Sequence, residues 1–211
     1  KRYIQRGRQL AEQLNENNIT QKPRGRKTMV AGILIVLAAA ALINLALQMR
    51  SFYTRVTHPL LYEEYIEKYS EQYSVPKEIV CAVINTESSF DSSALSGAGA
   101  MGLMQITKET FWWLLSKNGE DISVDMLYDP ETNIKYGTYF LSILYEEFGS
   151  WDTVYAAYNA GRSRVNSWLS DDEVTKDGKL VNIPYPETAR YVKRVSGNVT
   201  EYRKLLEKYG I

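Results

Sequence analysis

The chain contains one cysteine, Cys81, and one histidine, His58, in 211 residues. One cysteine excludes an intrachain disulfide, and one histidine excludes a multi-histidine metal site. No cluster of acidic, Cys or His residues has metal-ligand spacing, so neither a metal nor a cofactor is expected. Cys81 lies in an apolar helical run, where a small buried residue is a better reading than a reactive thiol. Alternating, strand-period segments of useful length are missing, as are internal repeats. Positive charge is scarce beyond the first fifty residues: positions 51–211 carry sixteen Lys/Arg against twenty-three Asp/Glu. A domain that acidic lacks the cationic face that nucleic acid needs, so no nucleic-acid partner is expected.

The opposite imbalance marks the start of the chain. Residues 1–50 hold nine Lys/Arg and two Asp/Glu. Lys22, Arg24, Arg26 and Lys27 crowd around Pro23 and Gly25. Within this basic segment, residues 1–27, only a short helix around Gln9–Leu14 is suggested. Met29 to Leu47 then reads MVAGILIVLAAAALINLAL, with Asn44 its one strongly polar member. As a helix this stretch is roughly 28 Å long, close to a bilayer's hydrocarbon thickness. A buried helix of a soluble domain is rarely so long without a polar face. Residues 28–49 are therefore expected to form a transmembrane helix that ties the chain to a membrane through residues 29–47. The basic cluster before it places the N-terminus in the cytoplasm and everything after Arg50 outside. A cleavable signal peptide is the alternative, against which stand the length of the apolar run and the lack of an A-x-A site after it.

Residues 50–57 read as a polar linker, and the rest, 58–211, as an all-α domain. A helix is expected from Thr57-His58-Pro59, with Leu60, Leu61, Tyr65, Ile66 and Tyr69 at helical spacing. Pro76 opens the next, with Ile79, Val80, Val83 and Ile84 as its stripe. Thr107 caps a helix to about Ser116 containing Phe111, Trp112, Leu114 and Leu115. Lys117 to Asp129 reads as loop. Pro130 to Phe148 is a long helix stopped by Gly149. Ser150 caps another, which breaks at Asn159-Ala160-Gly161. A short helix holds Val165 and Trp168, Ser170 to Asn182 is loop, and Pro186 opens the last helix, with Tyr191, Val195, Val199, Tyr202 and Leu206 in phase.

Glu87 to Ile106, ESSFDSSALSGAGAMGLMQI, organises this pattern. A carboxylate ends an apolar helix, and a loop with Gly97, Gly99 and Gly102 follows. Glu87 falls four residues after Val83 and seven after Val80, on their stripe. There it would be partly desolvated, with a raised pKa. An exposed Glu at a frayed helix end fits the spacing equally. A protonated carboxyl in an apolar wall is a general acid of the kind glycosidic cleavage needs. Asp91, the nearest second carboxylate, reads better as a solvated loop residue. One carboxylate suffices where an N-acetyl group of the sugar supplies the second function. Tyr158-Asn159 and Tyr191 are candidates for a sugar groove, though taken singly each fits ordinary core and capping.

Glu87-Ser88, followed by Ser96-Gly97-Ala98-Gly99-Ala100-Met101-Gly102-Leu103-Met104-Gln105-Ile106, resembles the catalytic domain of the soluble lytic transglycosylases, the lysozyme-like SLT family. Ala157-Tyr158-Asn159-Ala160-Gly161 resembles the family's second motif. Ile183-Pro184 and Glu187-Thr188, with Tyr191-Val192, resemble its third. The three occur in order across roughly residues 60–208. The resemblance implies a lysozyme-like helical fold and cleavage of the MurNAc–GlcNAc β-1,4 bond of peptidoglycan glycan strands. Glu87 would be the single acid/base, and 1,6-anhydromuramoyl ends the product. It also implies that Ser88, Ser96, Met104, Gln105, Tyr158, Asn159, Glu187 and Tyr191 line the groove or orient Glu87. Gly97 and Lys108 depart from the prolines common at those places, which affects loop stiffness and removes no chemical group. A hydrolysing muramidase of the same fold is the first alternative. A non-catalytic glycan-binding part of an envelope assembly is the second.

Overall fold

The computed structural model describes residues 2–19, 24–176 and 179–210. The chain divides into two compact units, residues 1–53 and residues 54–211.

In the first unit, α1 spans Arg2–Ile19 and α2 spans Arg24–Thr57, running on into the second unit. The basic segment is thus far more helical than its polar composition suggests. Its repeating Gln, Arg, Leu and Ala are good helix formers, and no Gly–Pro pair interrupts positions 8–19. Of the basic cluster, Lys22 and Pro23 lie outside the described residues. The apolar run is one continuous helix whose mean hydropathy reaches 2.7 over Met29–Thr54, with none of that stretch buried. Residues 51–57, expected as a linker, continue the same helix, because nothing in SFYTRVT breaks it.

Among the described residues, the second unit is built of helices joined by loops, with one hairpin of two-residue strands. Helix α3, Glu63–Tyr73, begins later than expected. Residues 59–62 are non-helical, and Tyr62 takes a left-handed conformation with φ 58° just before it. Glu63 and Glu64 then occupy the first turn, where the helix dipole favours negative charge. Helix α4 runs Lys77–Ser88 and buries Ile79 through Ile84. Helix α5, Lys108–Asn118, is capped by the Thr107 hydroxyl, which accepts from the Thr110 N–H. Its Phe111, Leu114 and Leu115 are buried, while Trp112 faces solvent. A 3-10 turn, Val124–Tyr128, sits inside the expected loop because Leu127 is drawn fully into the core.

Helix α6 spans Pro130–Phe148 and stops at left-handed Gly149, as Pro at N1 and Gly past the end dictate. Helices α7, Trp151–Ala160, and α8, Arg162–Leu169, are hinged at Gly161, φ 94°. Ser150 sits at the N-cap of α7 but makes no side-chain capping bond. Strands β1, Thr175–Lys176, and β2, Lys179–Leu180, form an antiparallel pair within the expected loop. Helix α9, Pro186–Tyr209, packs its Tyr191, Val195, Val199, Tyr202 and Leu206 into the core. Helices α4 and α9 lie against one another, and α7 packs on α9. This packing brings the end of α4, which carries Glu87, against the first half of α9.

Candidate active site

The loop between α4 and α5 is held by its backbone and by one buried amide. Met101 bridges to Leu95 on one side and Ile106 on the other. The Ser96 N–H donates to the Ala100 carbonyl (2.9 Å), and the Ser96 hydroxyl accepts from the Ala100 N–H (3.0 Å). Gly102 has φ +73°, and a Cβ there would sit 2.1 Å from the Leu127 carbonyl oxygen and 2.2 Å from Asn133 Nδ2. Only glycine permits both that φ and that approach. Asn133 on α6 is fully buried and satisfies three loop groups. Its Oδ1 accepts from the Met104 N–H (2.7 Å), and its Nδ2 donates to the carbonyls of Met101 (3.0 Å) and Leu127 (2.7 Å). Gly137, one turn along α6, leaves room for the Met104 side chain, whose sulfur would lie 2.2 Å from an added Cβ.

Glu87 stands in the last turn of α4, partly buried, on the stripe of Val80 and Val83. Its Oε1 accepts a 2.6 Å hydrogen bond from the Tyr191 hydroxyl. Desolvation dominates its acidity and pushes the carboxyl up to about 7, against the opposing pull of the Tyr191 bond and the Arg194 charge. Near neutral pH this carboxyl is therefore poised between acid and base, where general acid–base catalysis is most effective. Burial pushes the Tyr191 and Tyr158 phenols well above their ordinary value, with the Glu87 carboxylate adding to the effect. Both tyrosines stay neutral donors.

The other motif residues divide by what they hold. Tyr158 donates to the Met104 carbonyl (2.8 Å), joining α7 to the loop. Ser88 donates to the Leu103 carbonyl (2.8 Å), joining the helix end to the loop. Met104 is fully buried, its side chain packed at Gly137 instead of lining an open groove, and its carbonyl is the group that Tyr158 binds. Gln105 has φ 48°, and its Nε2 donates to the carbonyls of Gly102 (2.9 Å) and Ala94 (3.1 Å). The exposed Asn159 accepts from the Thr188 hydroxyl (2.9 Å), fastening the α7 end to α9. Glu187 is exposed on the first turn of α9. Asp91 is exposed too. The Ser93 hydroxyl and N–H, at 2.7 and 2.9 Å, hold its carboxyl below the ordinary value, as in a solvated turn.

Sequence reasoning missed Asn133 and Arg194, and placed Thr188 in a motif without giving it a role. The signal for Asn133 was available: it precedes Gly137 by four and Leu141 by eight, so it lies on the buried stripe of α6, where an amide needs partners. Thr188 and Arg194 become meaningful only once α9 is packed on α4 and α7.

The transglycosylase SLT domain family matches residues 64–181. The chain belongs to that family. It is 36% identical over 152 residues to the soluble lytic murein transglycosylase of Escherichia coli K12, covering 69% of this chain and 23% of the relative. It is 30% identical over 179 residues to the membrane-bound lytic murein transglycosylase C of Edwardsiella ictaluri, covering 68% and 47%. Its fold is similar to that of an inactive mutant of the lytic transglycosylase Slt from Pseudomonas aeruginosa, with TM-score 0.65 and 31% identity over 72% of this chain and 25% of that one. It is equally similar to a 70-kDa soluble lytic transglycosylase in complex with bulgecin A, with TM-score 0.64 and 33% identity, covering 71% and 25%. The chain thus spans a quarter to a half of the length of these relatives. The all-α, lysozyme-like expectation for the SLT domain agrees with these folds.

Proposed function

We propose that residues 58–211 form a peptidoglycan lytic transglycosylase domain with Glu87 as its one acid/base. The observation that carries the reading is the Glu87 carboxyl, partly buried, raised to about 7 and fixed by Tyr191, while Asp91 nearby is solvated and acidic. In this reading protonated Glu87 donates to the oxygen linking MurNAc C1 to the GlcNAc leaving group, and the C1–O bond breaks. The 2-acetamido oxygen of the same MurNAc supports the positive charge at C1. The Glu87 carboxylate then takes the proton of the muramoyl C6 hydroxyl as O6 bonds to C1. No water is consumed, and a 1,6-anhydromuramoyl end results. Tyr191 stabilises the carboxylate half of this cycle. The bonds of Ser88, Ser96, Met104 and Tyr158 suit positioning of Glu87 and the loop. Exposed Glu187, with Gln105 Oε1 and Asn159 Nδ2 at the far ends of amides fixed by their other atom, would meet the glycan's polar edges.

Mass spectrometry of peptidoglycan digested by the purified domain tests this. Anhydromuropeptides from the wild type and none from E87Q are expected. Reducing-end products would assign a hydrolysing muramidase instead. Wall binding without turnover would make the domain a glycan binder.

We further propose that residues 29–47 cross the membrane with the N-terminus cytoplasmic and the catalytic domain outside. The continuous apolar helix, the basic residues before it and the resemblance to a membrane-bound relative support this. Protease added to intact cells should remove the catalytic domain and leave the N-terminal segment.

A further inference from the structure

Helix α1 presents a sorted surface that the membrane span alone does not use. At 3.6 residues per turn, Tyr3, Ile4, Gly7, Leu10, Ala11 and Leu14 fall within an arc of about 120°. Tyr3 is 92%, Ile4 69%, Leu10 58% and Leu14 61% exposed, so the described residues leave this apolar face uncovered. Arg6 borders the arc on one side and Arg8 on the other. Gln5, Gln9, Glu12 and Glu16 occupy the opposite pole. Arginines at both edges of an apolar stripe, with carboxylates farthest from it, are the arrangement of a helix lying in a lipid headgroup layer. The apolar side chains enter the acyl boundary, and the arginine stems reach up to phosphates. A helix that pairs with another protein helix has no need to place both border cations toward one plane. The apolar run begins ten residues after Ile19, so α1 is tethered within reach of the bilayer that run would cross.

We propose that α1 is an interfacial helix that docks its Tyr3–Leu14 face on the anionic lipid of the cytoplasmic leaflet, with Arg6 and Arg8 on the headgroups. The proposal rests on residues 29–47 being a membrane span.

The test uses the full chain in vesicles of phosphatidylglycerol or of phosphatidylcholine. An environment-sensitive thiol fluorophore is placed by Leu10→Cys or Gln9→Cys. Cys81 is 1% exposed, and burial pushes its thiol up to about 12, so it stays unlabelled, and the wild type serves as the blank. In phosphatidylglycerol, the label at position 10 should shift to the blue and be quenched by nitroxide lipids, and the label at position 9 should not. The R6Q/R8Q pair should lower the docked-to-free ratio roughly 10- to 30-fold, at about one kcal/mol per arginine converted to a ratio. A chain that floats with vesicles while position 10 remains in water overturns this inference and leaves the span intact. Equal docking on phosphatidylcholine overturns the anionic-lipid assignment. A blue shift without lipid quenching, accompanied by cross-linking between copies, replaces the lipid with a second chain. A chain that does not float removes the span and this inference together.

Discussion

The Tyr191 hydroxyl lies 2.6 Å from Glu87 Oε1, joining residues 104 positions apart in the chain. The bond crosses the contact between α4 and α9, so packing of the apolar faces of two helices sets the geometry of the acid. The two residues pull in opposite directions. Burial raises the Glu87 carboxyl, and the phenol lowers it by favouring the anion. The balance near 7 leaves both protonation states accessible, as a residue that first donates and then accepts a proton requires.

Replacing Glu87 with Gln should abolish turnover, by a factor of at least about 10³, while stabilising the fold at neutral and higher pH. Below 4.5 the carboxyl is protonated in both folded and unfolded chains, so it has no effect on stability. Between 4.5 and about 7 the unfolded chain ionises first, and stability falls as pH rises. Above about 7 the full cost is present, on the order of 3 kcal/mol, and Gln removes it. Thermal melts of the two proteins should therefore coincide near pH 4 and separate at pH 8, with E87Q the higher.

Tyr191→Phe keeps the buried ring and removes the donor. Losing the hydroxyl removes the largest influence that lowers the Glu87 pKa, so its midpoint should rise above about 7. The high-pH limb of kcat/KM, which follows loss of the acid's proton, should move to higher pH. Turnover at the optimum should fall roughly tenfold or more, because the carboxylate half of the cycle loses its hydrogen bond. A pH–rate profile checks both effects, and an unmoved limb would detach Tyr191 from the acid's titration.

Asn133→Leu should destabilise the domain by about 3 kcal/mol or more. It leaves the Met104 N–H and the Leu127 carbonyl without their amide partner, at about 1–3 kcal/mol for each unsatisfied group, while the Met101 carbonyl keeps the Ile106 N–H. Gly102→Ala attacks the same junction from the loop side, since its Cβ would meet both the Leu127 carbonyl and the Asn133 amide. Urea denaturation should show a lowered midpoint for each. The double variant should lose less than the sum, because the two residues share one contact.

How much could be read beforehand depended on whether a signal was local. The bounds of α6 were legible because Pro130 and Gly149 punctuate it, and the stripe of α9 because five in-phase residues reveal it. Glu87 was placed on a buried stripe by spacing, with an exposed helix end left open. Burial of the α4 stripe and the Tyr191 bond settle that placement. Helix α3 was set four residues early because Pro59 resembles a helix start, whereas the chain takes a left-handed turn at Tyr62 and the helix starts at Glu63. Helix α1 was underestimated because its apolar residues are few. The Tyr191–Glu87 pairing and the role of Asn133 depend on which helices meet, and no local period encodes that.

Asn198 links the acid's helix to the start of the domain and should govern both stability and rate. Its Nδ2 donates to the Thr86 hydroxyl (2.9 Å), on the residue before Glu87, and that hydroxyl donates to the Ala82 carbonyl (2.7 Å). With Nδ2 so engaged, Asn198 Oδ1 faces His58 Nε2 at 3.3 Å, which assigns the ring proton to Nε2 and leaves Nδ1 to accept from the Thr57 hydroxyl (2.9 Å). The His58 ring also packs edge-on against Tyr202, 5.3 Å between centroids. Asn198→Leu breaks both ends of this chain at once and should cost about 1–3 kcal/mol. The last turn of α4 then loses a polar anchor beside Glu87, so kcat should fall several-fold with KM little changed. Asn198→Asp retains the acceptor toward His58 but cannot donate to Thr86, and should recover only part of the stability without restoring kcat. If Asn198→Asp matched the wild type in rate, the Thr86 bond would have no part in holding the acid.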